Sequence, residues 1–208
     1  MEQLTGFLEV IHKLNHYLVS VSQLLGVWIS EDLSWANNGQ QICRKAYSRM
    51  SIITKLKYVG VIQDDLIDIY ILFIWTVTEY CVVSFHSSLT VEQSGKLERI
   101  QKTCLKVILG DLYEDYESAL ELLGLTTLSK RREKRCLDFT LPCLKNNRTQ
   151  RLFPRNPSQD DRIRLSEPYL VNFAKTSTYK KSAIPYCQRL LNKHLQKIKH
   201  KKKIIPIL

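Results

Sequence analysis

The spacing of apolar residues changes several times along this chain. Residues 17–22 and 24–29 are short stretches rich in β-branched and aromatic side chains, which predicts two strands, paired as a hairpin. From Ile42 the period lengthens. Ile42, Ala46, Met50, Ile53 and Leu56 recur at intervals of three and four, predicting an amphipathic helix that ends at Gly60. Residues 66–85 are nearly all apolar and predict one long, buried central helix. Asp64 or Asp65 would cap it, since a carboxylate answers open N–H groups and the positive end of the dipole. Thr90-Val91-Glu92-Gln93 has the form of a capping box for a third helix burying Leu97, Ile100, Cys104, Val107 and Ile108, and stopping near Gly110. A short helix over residues 116–123 is closed by Gly124, and another covers 128–145, where Pro142 should kink it or end it early.

Beyond Asn146 the pattern dissolves. Residues 148–182 hold Pro154, Pro157 and Pro168, many charges and no sustained period, and read as an extended, partly mobile arm. A last amphipathic helix begins near Ile184, carries Cys187, Leu190, Leu191 and Leu195, and runs into Lys199-His200-Lys201-Lys202-Lys203. The expected fold is mainly α: a helical bundle over 34–146, preceded by a short β element in 1–33 and followed over 147–208 by a basic extended arm and terminal helix.

Charge sharpens this division. The 208 residues carry a formal +11, but residues 1–94 sum to −3 and residues 95–208 to +14. A basic half of this kind favours a polyanion, whose condensed counterions are released when Lys and Arg bind; the bland alternative is a solvated basic face. Cysteines stand at 43, 81, 104, 136, 143 and 187, with no C-x-x-C pair, so a structural zinc site is not expected. No signal-peptide pattern opens the chain, and the cysteines read as reduced thiols packing as small hydrophobes. That places the protein inside the cell, nuclear or cytoplasmic. The apolar run 66–85 approaches membrane-spanning length, but Asp68 and Glu79 interrupt it, so a buried helix is expected and no membrane.

Several blocks taken in order resemble one family. Leu24-Leu25-Gly26-Val27-Trp28-Ile29 and Asp32-Leu33-Ser34-Trp35 come first. Ile42-Cys43-Arg44-Lys45-Ala46-Tyr47, Leu56-Lys57-Tyr58-Val59-Gly60 and Glu79-Tyr80-Cys81 follow. Then come 96–102, 131–135, Leu152-Phe153-Pro154, Ser182-Ala183-Ile184-Pro185-Tyr186 and Leu191-Asn192. The chain thus resembles the end of the palm and the thumb of reverse transcriptases from non-LTR retrotransposons, Jockey-like and related invertebrate elements. The resemblance implies a thumb-like bundle, a β remnant of the palm end, and a frame that opens after the catalytic carboxylates.

Reverse transcription needs two metal ions held by palm aspartates. Asp64-Asp65 and Asp160-Asp161 both follow the Leu-Gly-Val block and neither sits in a Tyr-x-Asp-Asp turn, so no catalytic residue, metal ligand, cofactor or small-molecule substrate is expected. His12 and His16 lack the glutamate of a zinc-protease helix, and no phosphate-binding glycine loop occurs. Lys96, Arg99, Lys102 and Lys106 project opposite the apolar stripe of the third helix, where a thumb would set cations against primer–template phosphates. Lys130, Arg131, Arg132, Lys134 and Arg135 form the densest internal basic cluster and are further candidates, although their angles wrap the helix so that some must face solvent or pair with acids such as Glu133 and Asp138. Tyr47, Tyr58, Tyr113 and Tyr116 offer rings for stacking or for the core. The terminal lysines suit nuclear import or a phosphate grip. The expected partner is RNA–DNA hybrid or duplex nucleic acid. The competing reading is a domesticated or non-functional helical protein that acts, if at all, as a partner-binding module.

Overall fold

The computed structural model describes residues 20–157 and 167–204, with side chains through residue 198. Positions 17–19 of the expected first strand, His12, His16, Asp160 and Asp161 lie outside the described residues, as do the side chains of the terminal lysines. The chain is mainly helical, with a two-stranded antiparallel sheet on its N-terminal side.

The sheet is a hairpin of β1 (Val21–Leu24) and β2 (Val27–Ser30), paired Val21↔Ser30 to Leu24↔Val27. The second strand therefore starts three residues later than its apolar run suggests. Leu25 and Gly26 form the turn with φ of +48° and +81°, the positive values that a type I′ turn requires. Asn38 and Asn37 seat the hairpin on the first helix: Trp28 N donates to Asn38 Oδ1 at 3.2 Å and Asn37 Nδ2 to Ser30 Oγ at 3.0 Å.

Helix α1 (Ala36–Tyr58) carries the expected stripe, with Ile42, Ala46 and Ile53 buried. Gly60, at φ +84°, ends it: its N–H reaches Lys57 O, and Val61 N–H reaches Leu56 O, the paired bonds of a Schellman motif. The expected long helix is broken. It consists of α2 (Gln63–Tyr70), a π-helical turn (Ile71–Trp75), α3 (Thr76–Glu79) and, after Tyr80 and a left-handed Cys81 at φ +52°, α4 (Val82–Phe85). Ile62 is its N-cap, without a side-chain bond, and Asp64 and Asp65 lie in the first turn, near the dipole but not capping.

Among the described residues no single helix is long and apolar enough to cross a membrane; Gln63–Glu79 and Val82–Ser88 together have the length and composition but meet at a 44° bend. Leu66, Tyr70, Ile74, Val82 and Phe85 turn inward.

Helix α5 (Val91–Leu109) begins at the complete capping box of Thr90 and Gln93, and Gly110 closes it. It packs along α1 and buries Leu97, Ile100, Cys104, Leu105 and Ile108, each contributing on the order of 1–3 kcal/mol of apolar transfer. The Nζ of Lys57 donates to Ile108 O at 3.0 Å, a cation at the negative end of α5. Helix α6 (Tyr116–Leu122) starts at the Asp115 cap and ends in a second Schellman motif at Gly124. Helix α7 (Leu128–Cys143) has Pro142 in its last turn and stops there.

A second core joins α7 to α9 (Ala183–Ile204) through Cys136, Cys143, Phe153, Cys187, Leu190 and Leu191. The segment between them, expected to be a loose arm, is anchored where it is described. Arg155 and Tyr169 form an antiparallel bridge. Two buried amides of α9 hold the strand-like backbone: Gln188 bonds Leu152 O and Asn172 N–H, and Asn192 bonds both backbone groups of Tyr169. A short helix, α8 (Ser177–Lys180), precedes α9.

Candidate nucleic-acid interface

Helix α5 positions the first set of candidates. At 100° per residue its buried side chains fill one arc, and Lys96, Arg99, Lys102 and Lys106 stand exposed on the opposite arc. Lys96 pairs with Glu92 one turn earlier at 2.7 Å, with both side chains more than half exposed, a pair worth little in water. The Nζ of Lys102 lies 4.7 Å from the centroid of the Tyr116 ring. Arg99 and Lys106 form no ion pair within 4 Å among the described residues. Gly95 shares this arc, and nothing lies within 4 Å of where a Cβ would stand.

The basic cluster of α7 divides differently from its appearance in sequence. Lys130, Lys134 and Arg135 are exposed, Arg131 is half-buried and Arg132 is completely buried. The acid that organises them is Glu79, at the break after α3, rather than Glu133 or Asp138. Its carboxylate accepts Arg131 Nε at 2.5 Å and Arg135 Nε at 3.1 Å while itself 8% exposed. Arg131 also stacks on Trp75, its guanidinium carbon 3.1 Å from the ring centroid. Arg132, one of the nucleic-acid candidates, donates from Nη2 to Ser94 Oγ and presents no surface to a duplex. The structure therefore places Arg132 in the interior and commits the half-buried Arg131 to Glu79 and Trp75, because the α3–α4 turn and α5 pack over that side of α7.

Of the four tyrosines, Tyr116 is buried, its hydroxyl between Gln101 and Glu98. Burial, followed by the bond to Glu98, pushes its phenol above the ordinary range. Tyr47 and Tyr58 are exposed and Tyr113 is half-buried.

A second basic place went unread in the sequence. Between the hairpin, α1 and α3 lies a cleft of about 290 Å³ lined by Gln41, Lys45, Arg49, Trp28, Thr76 and Tyr80, among others, with no carboxylate in its wall. Arg49 Nη1 donates to Phe73 O in the π-turn at 2.7 Å; Lys45 is exposed. Lys45 and Arg49 stand one turn apart beside the apolar stripe, which is the signal that could have marked them. Among the described residues no group of three or more His, Cys, Asp or Glu side chains is placed to hold a metal ion. Comparison of the chain with protein-family models, curated proteins and solved structures yields no match.

Proposed function

We propose that this chain binds nucleic-acid duplex, RNA–DNA hybrid included, through the outer face of α5 and without reading sequence. We further propose that it descends from the thumb region of a non-LTR retrotransposon reverse transcriptase and does no polymerase chemistry of its own. The observation that supports binding is the row of four exposed cations on one arc of α5. Lys96 to Lys106 spans about 15 Å along the axis at 1.5 Å per residue. That length faces roughly four phosphates of one strand at 3.4 Å spacing. Such contacts confer affinity and register without sequence information.

Fluorescence anisotropy with a labelled duplex and a labelled hybrid tests the reading. Four phosphate contacts give a salt slope of about −3.6, so affinity falls by about two orders of magnitude between 50 and 200 mM salt. Glutamine at Lys96, Arg99, Lys102 and Lys106 together should abolish most of that slope while leaving the circular dichroism spectrum intact. An unchanged slope refutes the assignment. Weak, salt-insensitive binding would favour instead a partner-binding module, whose contact surface would be the exposed Leu24, Leu25, Leu72, Phe73 and Tyr80.

A further inference from the structure

The basic cleft between the hairpin, α1 and α3 is bordered by exposed apolar side chains. Thr76, in its wall, donates to the carbonyls of Leu72 and Phe73, and both of those side chains are exposed. Tyr80, also in its wall, donates to Leu25 O at 2.7 Å, and its ring lies 3.5 Å from where a Cβ of Gly26 would stand. Leu24, Leu25 and Tyr80 are exposed as well. The turn of the hairpin, Tyr80 and the π-helical turn thus form one apolar margin around the cations.

Leu25 carries the strongest argument. It holds a left-handed turn position, φ +48°, that favours Asn or Gly, and it is 82% exposed. Neither the turn nor the core accounts for an apolar side chain there; an apolar group on a partner does. Inside the cleft the chemistry is opposite. Lys45 and Arg49 form no ion pair within 4 Å among the described residues, and Arg49 uses Nη1 on Phe73 O. No carboxylate lines the wall. A partner that matches both parts brings an acid for the centre and apolar side chains for the margin.

At about 290 Å³ the cleft stands at the low end of the roughly 300–1,000 Å³ of small-molecule sites, so it suits a side chain of a larger partner. Three of the five margin residues are leucines, which offer no ring for a base to stack on. A second copy of this chain brings the same +11 charge. We propose that this face binds an acidic peptide segment of a partner protein. One Asp or Glu carboxylate enters the cleft to meet Lys45 and Arg49, and neighbouring apolar side chains cover Leu25, Phe73 and Tyr80. The cations fix orientation and reject basic partners, while the margin supplies the buried apolar area. No residue of α5 lines the cleft, so this site and the duplex-binding face can fail independently.

A phage-displayed library of random peptides, about twelve residues long, is selected on the full chain and counter-selected on Lys45→Glu. Enriched sequences should place Asp or Glu beside Leu, Ile, Phe or Trp. The leading peptide, labelled with fluorescein, is titrated by anisotropy against wild type, Lys45→Glu, Leu25→Asn and the Lys96/Arg99/Lys102/Lys106→Gln variant. Lys45 is exposed and unpaired, and asparagine relieves the turn, so both single variants stay folded. Each should weaken the peptide by about tenfold or more, and Leu25→Asn should do so while the Tm holds or rises. The α5 variant should bind as wild type does. Selection without an acidic consensus, or full affinity in either single variant, overturns the proposal. So does a labelled single-stranded oligonucleotide that binds wild type and is lost in Lys45→Glu where no peptide binds, which assigns the cleft to nucleic acid. A wild-type dimer that Leu25→Asn dissolves assigns the face to a second copy and overturns it likewise.

Discussion

Replacing Gln101 with methionine tests whether the centre of the bundle is held by a polar relay. Gln101 is fully buried on α5 and serves three elements. Its Oε1 accepts the Tyr70 hydroxyl of α2 at 2.9 Å; its Nε2 donates to the Tyr116 hydroxyl of α6 at 3.0 Å and to Thr126 O at 2.9 Å. Tyr116 passes the relay to Glu98, which caps α7. Methionine fills similar volume but leaves the Tyr70 hydroxyl, 0% exposed, with no acceptor. A stranded buried hydroxyl costs about 1–3 kcal/mol, and the two lost bonds from Nε2 add about 1 kcal/mol each at most, since Tyr116 keeps Glu98 and Thr126 is exposed.

The expected loss is therefore about 3 kcal/mol, a large share of a typical 5–15 kcal/mol. With an m-value of about 2 kcal/mol/M, the urea midpoint should fall by about 1.5 M. Tyr70→Phe alone strands Gln101 Oε1 and should cost about 2 kcal/mol. The double variant removes both partners and should cost about 2 kcal/mol less than the sum of the singles. A loss below about 1 kcal/mol for Gln101→Met, or simple additivity in the cycle, refutes the relay.

Two further predictions concern pH and the turn. Burial, then the charge of Arg132, pulls His86 down from its ordinary 6.5 to about 4, so the folded state holds it neutral where the unfolded chain protonates it. Its contribution is complete above the ordinary value and is lost as pH falls from there towards the folded value; His86→Phe should flatten that part of the stability–pH curve relative to wild type, and parallel curves would refute it. Leu25 holds φ +48° in the turn with its side chain 82% exposed, so Leu25→Asn should stabilise the protein by roughly 0.5–1 kcal/mol in urea unfolding, and destabilisation would show that the apolar side chain matters.

Local signals were the legible ones. The capping box at Thr90 and Gln93, the stops at Gly60, Gly110 and Gly124, and the stripe of α1 depend on neighbours within a few residues, so the sequence displays them directly. The break after α3 has no proline or glycine to announce it. It is held from outside, by the Tyr80 hydroxyl on Leu25 O at 2.7 Å and by Glu79 drawn to α7. The same distance hid the order of the segment before α9, since the partners of Gln188 and Asn192, at Leu152, Tyr169 and Asn172, lie 16 to 36 residues away along the chain. On the candidate interface, the outward face of α5 was legible because helical angles alone sort it. The fate of Arg131 and Arg132 was not, because a run of five charges gives no sign of which will be enclosed by another helix.

Gly95 gives the outer face of α5 a different significance. An alanine there would meet nothing within 4 Å and would raise helix stability by about 1 kcal/mol. The fold thus runs below the stability available to it, and part of the shortfall sits among the cations of α5. The bare backbone at this position, beside Lys96 and Arg99, lets a flat or ridged surface come closer than a side chain would allow. Contact distance is the quantity this position controls.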